Sequence, residues 1–128
     1  MNIKTLMFAS LLIFLNSCEG ETTYEKYVQN NTIDTITVSM HIGNEQHTAI
    51  ILPNGRKLFP SPTFGLGAKT QTTSCLIGID TITVSSSSGK ILTKNILLDE
   101  NWKATLERKG PGLSHQECLF TIEASDLQ

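Results

Sequence analysis

Ile33-Asp34-Thr35-Ile36-Thr37-Val38-Ser39 recurs verbatim as Ile79-Asp80-Thr81-Ile82-Thr83-Val84-Ser85. Within each copy the aliphatic residues alternate with threonine and serine. In an extended chain, Ile36 and Val38, or Ile82 and Val84, therefore lie on one side and the hydroxyls on the other. A period of two in β-branched residues describes a strand with one buried and one wet face. The match continues without a gap, Gly43 with Gly89, Ile50 with Ile96 and Leu52 with Leu98. Each copy thus reads as a strand, a glycine-containing turn and a second strand. We expect two duplicated β-hairpins that face each other across a core.

The same alternation appears further along, in Trp102, Ala104 and Leu106 against Lys103, Thr105 and Glu107. It appears again in Cys118, Phe120 and Ile122, with Leu119 out of phase. Between these runs stand Asn30-Asn31, Pro53-Asn54-Gly55, the Ser85–Gly89 stretch and Lys109-Gly110-Pro111-Gly112, residues that preset a turn or tolerate positive φ. They delimit about seven short strands. No segment beyond residue 17 sustains the 3.6-residue period of an amphipathic helix. The fold class is therefore all-β: a single small β-sandwich, immunoglobulin-like or related, over residues 27–128.

The chain opens with one basic residue, Lys4, followed by an apolar run from Leu6 to Leu15. That run is about half of the ~20 apolar residues a membrane-spanning helix needs, so it reads as an export signal and not as an anchor. Leu15-Asn16-Ser17-Cys18 resembles the lipobox of bacterial lipoproteins, and serine before the cysteine resembles the Bacteroidota form. Asn16 departs from the commoner small residue. The resemblance implies a signal peptide over residues 1–17, cleavage before Cys18, acyl chains on Cys18, and a lipidated tether over residues 18–26. Several acyl chains, at about 0.8 kcal/mol per buried methylene, hold a protein at a membrane without a spanning segment. Glu19 and Glu21 are similar to the acidic stretch that favours outer-surface display in that group, which places the chain in the cell envelope as an outer-membrane lipoprotein. Asp34-Thr35-Ile36 and Asp80-Thr81-Ile82 resemble the Asp-Thr-aliphatic acceptor of Bacteroidota O-glycosylation, which implies Thr35 and Thr81 as glycan sites.

Cys75 and Cys118 remain after lipidation, and an exported chain meets conditions in which disulfides form. The two cysteines are read either as a bridge, closing a loop of a little over 40 residues, or as buried thiols on apolar faces. Ten basic and twelve acidic side chains give a formal net charge of −2, and loss of residues 1–17 removes Lys4 and no acid, leaving −3. The basic residues are scattered, without the stripe that phosphate neutralisation requires, so no nucleic-acid partner is expected.

His41, His47 and His115 lack metal-ligand spacing, and no metal or cofactor is expected. Gly65-Leu66-Gly67-Ala68-Lys69-Thr70 fails as a phosphate loop because Ala68 and Thr63 stand where glycines are required. There is no Gly-x-Ser-x-Gly elbow and no His-Glu-x-x-His, and an enzyme is not expected. The irregular stretch Pro60–Ser74 is longer than ordinary connections and offers Phe64 and Leu66 as anchors for a partner. The reading is a membrane-tethered envelope lipoprotein with a binding or structural role toward an envelope protein or glycan. The alternative is a small inhibitor or immunity-type protein that guards the envelope against a lysozyme or protease.

Overall fold

A computed structural model describes residues 20–61 and 65–128, with Leu66 described by its backbone alone. The strands are β1 (Glu21–Asn31), β2 (Ile36–Ile42), β3 (Glu45–Ile51), β4 (Arg56–Phe59), β5 (Gly65–Leu66), β6 (Thr81–Ser86), β7 (Lys103–Gly110) and β8 (Leu113–Glu123). One sheet has the order β4-β1-β8-β7, with β5 added beside the start of β1; the other has the order β3-β2-β6. Among the described residues, helix is confined to single 3-10 turns at Asp99–Asn101 and Ala124–Asp126. The two sheets form a small β-sandwich. Val28, Phe120 and Ile122 from the larger sheet share one core with Ile36, Val38 and Met40 from the smaller.

The alternating segments are strands with the expected inward sides. Trp102 is buried at the entry to β7, and Cys118, Phe120 and Ile122 are buried on β8. The Trp102 and Phe120 rings meet at 5.3 Å between centroids, a tilted aromatic contact. The indole N–H of Trp102 donates to the Ile96 carbonyl at 2.8 Å, so the largest core side chain buries no unpaired donor. Leu119 turns to the outer side, where its register neighbour is Tyr27.

The repeat is real in sequence but does not build two hairpins. The first copy does: β2 and β3 pair antiparallel through a turn in which Gly43 has φ +59°. In the second copy β6 forms and Gly89 turns with φ +78°, but the chain then leaves the sheet. It runs instead beside the C-terminus, with Ile91 and Gln128 exchanging backbone hydrogen bonds. The cause lies in the inward positions. Where β3 carries His47, Ala49 and Ile51, the second copy carries Thr93, Asn95 and Leu97. A returning strand would bury the Asn95 amide; the Asn95 side chain instead accepts from the Leu97 N–H at 2.9 Å and fixes a local turn.

The copies also do not face each other across the core. β2 and β6 are neighbours in one sheet, paired antiparallel with Val38 opposite its own counterpart Val84. A local two-fold relation follows, in which each repeat aspartate reaches the far end of the other copy's strand. Asp34 Oδ2 accepts from Ser86 Oγ at 2.9 Å and Ser88 Oγ at 2.6 Å, and Asp80 Oδ2 accepts from the Gly43 N–H at 2.9 Å. The hydroxyls of Ser86 and Ser88 hold the Asp34 carboxyl below its ordinary pKa.

The boundary at residue 27 needs correcting. β1 begins at Glu21, so Glu21–Lys26, expected in a tether, pair along β8 in the sheet. The inward positions of this half of β1 are Thr22, Tyr24 and Lys26, too polar to read as a strand with a buried face. What covers them is irregular chain and not the second sheet. The Thr22 hydroxyl donates to the Gly67 carbonyl at 2.9 Å and accepts from the Lys69 N–H at 3.1 Å. Gln116, fully buried on β8, binds both backbone groups of Thr73, accepting from its N–H at 2.8 Å and donating to its carbonyl at 2.9 Å. Polar inward side chains are stable here because loop backbone, with no ladder of its own, supplies their partners.

At the opposite end, buried Asn30 fixes the crossover between the sheets. Its amide donates to the Asp34 carbonyl at 2.7 Å and the Ile51 carbonyl at 3.1 Å, while its oxygen accepts from Thr32 N–H and Oγ1 at 3.0 and 2.7 Å. With four bonds the amide is fully satisfied.

Candidate functional site

Lys26 is the residue whose position least suits a purely structural role. It lies on the inward side of β1, between Phe59 on β4 and Cys118 on β8 in register, and only 3% of its surface is exposed. Among the described residues its ammonium makes no hydrogen bond and no ion pair within 4 Å, and no fully buried side-chain polar atom there lacks a partner. Burial pushes its pKa down from 10.5 to about 8, against a partly compensating attraction from Asp99.

Lys26 lines a partly open cavity of about 160 Å³ together with Tyr24, Glu25, Cys75, Ile77, Gln116 and Cys118. Ser61 and Gly65, on either side of residues 62–64, form part of its rim. A disulfide spans the cavity from the strand beside Lys26. Cys75 and Cys118 are bridged, with 5.7 Å between Cα atoms, and the bridge ties β8 to the turn at Cys75–Gly78. Cys75 therefore sits in a turn. Asp99 holds that turn, its Oδ1 accepting from the Cys75 N–H at 2.7 Å and from Ser74 Oγ at 3.0 Å. A concave, mainly apolar space with a few fixed polar groups is the usual form of a small-ligand site. Sequence reasoning missed Lys26 because a single lysine between polar neighbours reads as solvated surface.

A second polar group lies on the outer side of the large sheet. Thr23 Oγ1 and His115 Nδ1 share a hydrogen bond of 2.7 Å, and His115 Nε2 stands 3.5 Å from Glu25 Oε2. Hydroxyl, imidazole and carboxylate follow one another as in a nucleophile with its base. The chemistry is nevertheless incomplete. Glu25 Oε2 already accepts the Tyr27 hydroxyl at 2.6 Å, and adjacent strand amides belong to the β1–β8 ladder, so they are not free to stabilise an oxyanion. The group reads as cross-strand pairing on a wet face, with Arg56 stacked 4.9 Å over the Tyr27 ring.

Of the residues singled out in the sequence, Cys75 and Cys118 are brought together. Cys18 and Phe64 lie outside the described residues. The backbone of Leu66 pairs with Glu21, so residues 65–66 are built into the sheet edge. Thr35 is half-buried just ahead of β2, its N–H bonded to Ser87 Oγ at 3.0 Å; Thr81 opens β6 and is exposed. His41, His47 and His115 are on separate sheet positions, and no cluster of three metal-ligating side chains occurs among the described residues. No helix among them is long and apolar enough to cross a membrane. Set against known proteins, the chain matches no family model, no curated sequence and no solved structure.

Proposed function

We propose that this chain is an envelope lipoprotein, held at the membrane by acyl chains on Cys18, whose β-sandwich binds a ligand at the Lys26 cavity. The carrying observation is a lysine only 3% exposed whose ammonium has no partner among the described residues, placed where the sheet pattern would admit an apolar side chain. Natural chains keep such a group chiefly where function needs it, because an unpaired buried charge lowers stability. A binding role suits the frame around the cavity, in which a disulfide fastens the Cys75 turn to the parallel β1–β8 pair. The Leu15-Asn16-Ser17-Cys18 motif supplies the address, and β1 begins three residues after Cys18, which would hold the sandwich close to the bilayer surface. The test is capture from the native envelope. Wild-type protein should co-purify with a partner or small molecule that Lys26→Met does not retain; equal retention by both would overturn the reading.

A further inference from the structure

The ligand class follows from the cavity's charge, size and lining. Its one cation is Lys26. The nearest opposing charge, Asp99, is already committed to the Cys75 amide and the Ser74 hydroxyl. Asp99 is exposed to solvent as well as hydrogen-bonded, so it offsets the Lys26 charge only in part, and one monoanion can pair with the ammonium; a dianion such as phosphate would leave excess negative charge in a poorly solvated space. The Gln116 amide is fully engaged with Thr73, so it adds no free donor for a larger oxyanion. Tyr24, two residues before Lys26 on the same side of β1, brings a phenol to the wall, and its hydroxyl packs against Gly65. Ile77 and the Cys75–Cys118 bridge supply the apolar part of the lining, beside the polar residues Glu25, Ser61, Thr73 and Ser74. A space of about 160 Å³ is also a fair match in size, since cavities of ~150 Å³ hold a benzene-sized molecule.

Resting on the binding reading above, we propose that this cavity takes a carboxylate attached to a short branched or aromatic group. Lys26 Nζ would hold the carboxylate, and Ile77 and the disulfide would hold the apolar part. Such a group exists both in free acids and at the C-terminus of a peptide ending in a branched residue. The shared chemistry is one carboxylate and about four to seven apolar carbons, the number that fits a benzene-sized space.

The test uses the full mature lipoprotein in detergent micelles, with the amide resonances of Thr73 and Cys75 as local reporters. The probes are isovalerate, benzoate, methyl benzoate, inorganic phosphate, and a tetrapeptide ending in valine as free acid and as amide. Saturable shifts with the acids, at least tenfold weaker in Lys26→Met, are the expected result, with methyl benzoate and phosphate silent. Tyr24→Phe should keep binding while altering the shift pattern. The peptide acid binding more tightly than isovalerate would identify a chain terminus as the source; the reverse would identify a free acid. Phosphate binding as well as benzoate, or acid binding unchanged in Lys26→Met, would overturn the proposal. If no acid binds while capture from the envelope still depends on Lys26, the carboxylate class fails and the binding reading stands. Unfolding midpoints of both variants show that any loss is not misfolding.

Discussion

Lys26 and Cys118 are lateral neighbours in the parallel β1–β8 ladder, both directed inward, so an ammonium with no partner among the described residues stands beside a disulfide at the edge of the core. The disulfide fastens the Cys75 turn to the sheet and thereby shapes the wall that Lys26 faces. Cysteine separation is 43, a loop that the chain-entropy account values at about 4 kcal/mol. Cys75→Ala with Cys118→Ala should lower unfolding free energy by about that amount in urea titrations. Denatured, unreduced protein should take up no alkylating reagent at these two positions; rapid labelling of both would show free thiols.

Asn30 is the most exacting polar residue of the core. Replacement by alanine removes four hydrogen bonds and leaves the Ile51 carbonyl and the Thr32 N–H without their buried partner. A loss of about 2–3 kcal/mol is expected, measured as a shift of the denaturation midpoint at unchanged slope. A loss under about 0.5 kcal/mol would mean that the crossover is held by other contacts.

The sandwich itself was legible because Ile36, Val38, Phe120 and Ile122 alternate with polar residues, and that alternation survives in the structure. Other features were hidden for physical reasons. The first half of β1, Glu21–Lys26, was read as a tether, and Thr22, Tyr24 and Lys26 on its inward side did not betray a strand, because loop backbone supplies partners that sequence cannot display. The central β1–β8 pairing is parallel between the first and last strands, and nothing in a local pattern reports so distant a neighbour. The repeat misled at Asn95, whose side chain holds a local turn at the position where the first copy carries inward-facing Ala49. Lys26 was invisible as a site, since burial is decided by what packs over a residue and not by the residue.

Lipidation has its own direct readout. A metabolic acyl-chain probe should label the wild type and leave Cys18→Ser unlabelled, with the variant retaining residues 1–17. Undiminished labelling of Cys18→Ser would place the lipid elsewhere.

The burial of Lys26 has a consequence for stability that few other features would mimic. Its pKa falls from 10.5 in the unfolded chain to about 8 in the folded one, so between those values the unfolded state binds the extra proton. Unfolding free energy should therefore be lowest below pH 8 and rise toward pH 10.5, with this residue contributing about 3 kcal/mol at most. Lys26→Met removes the proton and fills the same space with an apolar stem. The most direct test is urea unfolding of wild type and Lys26→Met side by side at pH 7 and pH 9.5. We expect the variant to be more stable by about 1–3 kcal/mol at pH 7, with the gap narrowing at pH 9.5. A variant less stable than wild type at pH 7, or a gap that does not change with pH, would contradict a lysine kept at the cavity for its charge.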